Sequence, residues 1–224
     1  MTDSERKLLN IELTLLNEFT RDGIVQGCKL AQTLDCTTVC VFPFWIPLVM
    51  QVLRNTTVHI ATPIGLPYGG ATAAVKVYEA QRAIVDGASE LEVMINVGAL
   101  KSGHLHVVRG ELTAITRVAH AQSGAQGYVK ITAVLPLIEL QVNELQSLCK
   151  LLQITRTPSI QIGTGIEPKP VSLDTIQLVR QFAGAEMLVK VAVGEMDAEV
   201  ARKLLDAGAT SICMPPSAAM MLTD

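Results

Sequence analysis

Aromatic side chains are scarce in this chain of 224 residues, at 4% of the total, so its 49% apolar content is mostly Ala, Val, Leu and Ile. Those are the residues that fill buried parallel strands and the helices laid over them. Charge of neither sign dominates: 18 Lys and Arg stand against 21 Asp and Glu, for a net charge of −3. That balance argues against a phosphate-backbone partner, and no nucleic-acid binding is expected. Long hydrophobic runs are also missing. The most apolar region, 39–53, is interrupted by Pro43 and Pro47 and falls short of the ~20 residues a membrane helix needs, so no membrane partner is expected. The opening residues, Met1 to Lys7, lack the basic-then-apolar pattern of a secretory signal. The five cysteines show no paired C-x-x-C spacing, which fits a reducing, cytoplasmic location better than a disulfide framework.

What is present is an alternation of short β-prone runs with helical patterns. Strands are expected at 11–15, 37–41, 57–61, 90–95, 128–133, 158–162, 188–192 and 210–213, each rich in Val, Ile, Leu or Thr. Helical spacing follows at 21–34, 46–53, 71–86, 105–122, 140–152, 172–182, 197–206 and 217–222. Gly87 stops the third helix and Ser172 caps the sixth. About eight strand-then-helix units in residues 1–224 predict a single-domain α/β fold, a (β/α)₈ TIM barrel, because right-handed crossovers leave few other ways to bury both strand faces. An open doubly wound sheet is the alternative, disfavoured because no G-x-G-x-x-G follows the first strand. The last helix is short, and a homo-oligomeric contact could cover the flank beside the eighth strand.

In such a barrel the working residues sit at the carboxyl ends of the strands, and inward polar side chains are costly unless used. Period-2 alternation puts Glu92 with Met94, Lys130 with Tyr128 and Thr132, Gln161 with Gly163, and Lys190 with Ala192. Four consecutive strands thus each offer one long polar side chain among apolar neighbours. Two lysines and one carboxylate in an apolar shell suggest an amine whose pKa is lowered by desolvation, suited to imine formation with a carbonyl compound, with Glu92 shuttling protons. The alternative is a buried ion pair in which Glu92 neutralises Lys130 or Lys190 without a catalytic role.

The run Leu66-Pro67-Tyr68-Gly69-Gly70-Ala71, the long block 79–103 with Gly87-Ala88-Ser89-Glu90-Leu91-Glu92-Val93-Met94 at its centre, Val129-Lys130, Glu12-Leu13-Thr14 and Cys40-Val41-Phe42-Pro43 together resemble deoxyribose-phosphate aldolase. The similarity extends over almost the whole chain. It implies a (β/α)₈ class I aldolase that cleaves 2-deoxyribose 5-phosphate through a lysine imine, with no metal and no other cofactor. It also implies that Glu92 stands for the proton-relay aspartate, that Lys130 and Lys190 are the retained lysines, and that Gln161 occupies the position of the imine-forming lysine. The sixth-strand run here is Ser159-Ile160-Gln161-Ile162-Gly163-Thr164-Gly165. Cys40, Thr14, Thr164, Gly165 and Gly194 are the expected substrate contacts. The phosphate-binding turn of the family departs as well: Pro215-Pro216-Ser217 has two prolines where backbone N–H donors are expected, and Glu195 adds negative charge beside Gly194.

These departures leave three expectations. One is an aldolase-like barrel with lost or much reduced cleavage; another is an active lyase using Lys190 or Lys130 on an aldehyde or sugar; the third is a non-catalytic small-molecule-binding or regulatory barrel. His104 and His106 form an H-x-H without an apparent third ligand, so no metal site is expected. Lys76, Glu79 and Arg82, at i, i+3 and i+6, read as a solvated helix face.

Overall fold

Residues 10–136, 140–166, 171–194 and 198–221 are described by the structure, a computed structural model. The short β-branched and apolar runs become eight parallel strands: β1 Ile11–Thr14, β2 Thr38–Cys40, β3 His59–Ile64, β4 Glu90–Met94, β5 Lys130–Leu135, β6 Ser159–Ile162, β7 Leu188–Ala192 and β8 Ser211–Met214. Each pairs with the next, and β8 returns to β1 with Cys213 opposite Glu12, so the sheet closes on itself. Closure removes both edges and rules out the open doubly wound sheet. Between the strands run α1 Arg21–Thr33, α2 Ile46–Val52, α3 Ala73–Asp86, a short α4 Val97–Lys101, α5 Leu105–Gln126, α6 Val142–Ile154, α7 Leu173–Ala183, α8 Ala198–Asp206 and α9 Pro216–Met220.

Local chemistry fixes several of these boundaries. Thr20 accepts a hydrogen bond from Gly23 N at the start of α1, and Asn96 does the same for Ala99 N at the start of α4. Gln141 and Glu144 form a capping box on α6. Gly87 ends α3 with a left-handed φ of 119° that a side chain would resist. Ser172 holds the N-cap position of α7, but its side chain makes no capping bond. Two strands are displaced from the sequence expectation. β3 runs on through Thr62, Pro63 and Ile64, which reads locally as loop because of the proline. β5 begins at Lys130, leaving Tyr128 outside the sheet and 67% exposed.

Outward-facing strand residues such as Leu13, Val39, Leu91, Ile131, Ile160 and Val189 are buried against the helices and form one continuous apolar layer. The barrel interior is different. Cys40 and Ala61 form a small apolar group there with Leu16, while Glu12, Glu90, Glu92, Gln161 and Lys190 occupy buried inward positions. The barrel is therefore oily outside its sheet and polar within.

The reading of Lys76, Glu79 and Arg82 as one solvated face is corrected. Lys76 is fully buried, and its ammonium donates to Glu111 Oε2 on α5 at 2.8 Å and to Met94 O at 3.1 Å. Glu79 accepts from Gly65 N at 2.8 Å. Arg82, in an exposed pair with Asp86, fits the expectation.

Candidate functional site

Parallel register sets the height of each inward side chain. Gln161 on β6 lies beside Lys190 on β7, Glu90 on β4 beside Lys130 on β5, and Glu92 beside Thr132. Glu12, from β1, reaches in from the far side of the barrel wall. These elements converge on the Lys190 ammonium, which donates to Glu12 Oε2 at 2.5 Å, Glu90 Oε1 at 2.8 Å and Glu92 Oε1 at 2.8 Å. An ammonium has three protons, and three carboxylates receive them. Glu90 is held further by Thr132 Oγ1 at 2.6 Å and by Lys130 Nζ at 3.4 Å. Cys40 Sγ donates to Glu92 Oε2 at 3.4 Å.

This cage reverses the expected electrostatics. The sequence suggests a lysine whose pKa is lowered by burial; burial does push Lys190 down, but Glu12, Glu92 and Glu90 outweigh it and hold the ammonium well above its ordinary value. Burial and the neighbouring Glu92 and Glu90 raise Glu12 to about 8 despite its bond to Lys190. Burial also pushes Glu90 upward, but Lys190, Lys130 and the hydrogen bonds from Lys190 and Thr132 bring it to about 2. The Cys40 and Cys213 thiols are both raised well above their usual range, chiefly by burial. One carboxyl thus holds its proton near neutrality while another stays ionised, a separation imposed by the partners each one has.

Gln161 belongs to the same interior but to a different kind of contact. Its Nε2 donates to Gly163 O at 3.1 Å, and Oε1 accepts from Cys213 Sγ at 3.5 Å. A neutral amide so engaged provides no nucleophile and no base. Nearer the carboxyl end of the barrel, Gly165 is brought against Thr14. Its φ is 80°, and a Cβ there would lie 3.0 Å from Thr14 Cγ2. Thr164 is buried and its hydroxyl accepts from Ile166 N within its own turn. Gly194 stands in the bend after β7. Glu195 lies outside the described residues. Pro215 caps α9 and Pro216 is its first residue, so this turn carries two positions without an N–H.

Sequence reasoning passed over Glu12 and Glu90 as members of the cluster. Glu90 was within reach, because it shares the inward face of β4 with Glu92. Sequence reasoning also looked to the carboxyl ends of the strands, whereas Glu12, Glu90, Lys130 and Lys190 line a cavity of about 340 Å³ together with Asn10, Thr37, His59, Ser89 and Thr210. The last five precede or begin their strands, so this cavity opens at the amino-terminal end of the barrel. Lys130 is 29% exposed there. His104 and His106 have ring centroids 5.8 Å apart. The group of potential metal-binding side chains found among the described residues does not include them; it is Glu12, Cys40 and Glu92.

No protein-family model matches the chain. Individual relatives do. It is 33% identical to deoxyribose-phosphate aldolase of Thermococcus kodakarensis over 86% of this chain and 85% of the relative. It is 31% identical to the Streptococcus gordonii deoxyribose-phosphate aldolase over 94% and 93% of the two chains. Among solved structures, an aldolase designated QR15 superposes with a TM-score of 0.84 at 25% identity, covering 99% of this chain and 95% of that one. The deoxyribose phosphate aldolase of Aeropyrum pernix, described as a tetramer, gives 0.85 at 22% identity over 99% and 91%, a likeness of fold.

Proposed function

Because the chain belongs to the deoxyribose-phosphate aldolase family, we propose that it is an aldolase-type barrel in which retro-aldol cleavage of 2-deoxyribose 5-phosphate is lost or much reduced. The observation that carries this reading is the pairing of Gln161 with a caged Lys190 on adjacent strands. Imine formation needs an uncharged amine with a free lone pair. Gln161 has no amine, and Lys190 gives all three of its protons to carboxylates. Loss of two backbone donors at Pro215 and Pro216 works in the same direction by weakening a phosphate cradle. What remains is a polar, buried interior suited to holding a small aldehyde or sugar without cleaving it.

The five cysteines are all free and buried, which favours a reducing cytoplasm. A homo-oligomer is favoured by the tetramer described for the Aeropyrum relative. No helix among the described residues is long and apolar enough to cross a membrane.

The test is to incubate the protein with 2-deoxyribose 5-phosphate or acetaldehyde, reduce with borohydride and measure the intact mass. No adduct is expected under conditions that label an active relative. An adduct mapped to Lys190 or to the more accessible Lys130 would replace this reading with that of a rerouted lyase.

A further inference from the structure

Lys190 uses one oxygen from each of two facing carboxylates, Glu12 Oε2 and Glu92 Oε1. The opposite oxygens are left over. Glu12 Oε1 is buried and has no hydrogen-bond partner, which is costly for a polar atom in a low-dielectric interior. Glu92 Oε2 receives the Cys40 thiol at 3.4 Å, a long contact from a weak donor. One donor atom from each of Glu12, Cys40 and Glu92 lies within 4.8 Å of the others, and all three residues are buried. Three carboxyl groups, Glu12, Glu90 and Glu92, share two ammonium groups, Lys130 and Lys190. The cluster is therefore neutral while Glu12 keeps its proton, and ionising Glu12 leaves one negative charge for a bound cation to offset.

We propose that Glu12, Cys40 and Glu92 form a binding site for a single zinc-type divalent cation. A thiolate with two carboxylates suits a borderline-soft ion better than magnesium or calcium, which take oxygen ligands. On binding, Glu12 and Cys40 each give a proton to water; the four negative groups, two ammonium groups and one dication then sum to zero. Zinc bonds of about 2.0–2.3 Å place tetrahedral ligands roughly 3.5 Å apart, so the donors draw together by about 1 Å. Lys190 lies behind both carboxylates on the oxygens the ion does not use, the place of an outer-shell partner that orients ligands. Three protein donors leave a fourth position for water or an oxygen of a small ligand. Glu12 also lines the amino-terminal cavity, which gives the ion a route from solvent.

The test uses the full chain, stripped with chelator under reducing conditions and titrated with cobalt(II) as an optical substitute for zinc. The expected result is a near-ultraviolet thiolate-to-cobalt band, with visible bands of tetrahedral strength, saturating at one equivalent and bleached by zinc. Cys40→Ser should remove the near-ultraviolet band, Glu12→Gln should weaken binding at least about tenfold, and a His104→Ala/His106→Ala double variant should leave the spectrum unchanged. Absence of the band in the unaltered protein would overturn the proposal, as would its persistence in folded Cys40→Ser. These outcomes are read without borohydride or turnover, so failure here leaves the aldolase reading as it stands, and the reverse holds too.

Discussion

A lysine surrounded by three carboxylates is a different reagent from a lysine alone in an apolar shell, and at the scale of the residue this difference sets the chemistry. Lys190 bonds to Glu12, Glu90 and Glu92 at once, so removing it takes a partner from three buried carboxyl groups rather than one. Breaking a buried pair costs about 3–5 kcal/mol. Lys190→Met is therefore expected to destabilise the protein by at least that amount at neutral pH, read as a fall in the urea midpoint; a loss under about 1 kcal/mol would mean that the cage is not formed in solution. Inward lysines on β5 and β7 and the inward Glu92 were legible from alternation alone. The cage was not, because Lys190 and Glu12 meet across 178 residues of sequence, and no local pattern encodes which residues barrel closure brings together.

At the scale of the element, α3 shows how a helix can be legible while its faces are not. Helical spacing and the Gly87 stop are local properties, but whether Lys76 meets water depends on α5, whose Glu111 receives its ammonium. Lys76→Met should cost about 3–5 kcal/mol, since Glu111 would be left buried without its cation. Arg82→Ala, on the exposed side of the same helix, should stay within about 0.5 kcal/mol. Chemical denaturation of both variants checks the pair, and equal losses would contradict the assignment of faces. The turn after β6 is also set by its neighbours. Gly165 combines a φ of 80° with close approach to Thr14, so Gly165→Ala should destabilise by about 1 kcal/mol or more, measured as a lowered melting temperature.

At the scale of the whole molecule, the repeated strand-then-helix grammar was enough to specify the barrel, since right-handed crossovers and burial of both strand faces allow little else. The interior's charge balance was not legible, and it should govern how stability varies with pH. Glu90 falls from an ordinary 4.5 to about 2, so the unfolded chain binds more protons between those values and stability rises with pH there. Glu12 rises from 4.5 to about 8, so the folded chain binds more protons between those values and stability falls as pH increases through that range. Each contributes up to about 1.4 kcal/mol per pH unit. Urea unfolding in the presence of a chelator should show greatest stability near pH 4–5, with a decline toward pH 8; a curve flat or rising from pH 5 to 8 would contradict the assignment to Glu12. The functional claim rests on a position rather than on the fold, namely Gln161 in an aldolase barrel. Its most direct measurement is the intact mass after borohydride reduction with acetaldehyde, made side by side on the unaltered chain and on Gln161→Lys. The expected result is an adduct on the variant at position 161 and none on the unaltered chain, whereas an adduct on the unaltered chain at Lys190 or Lys130 would contradict the account.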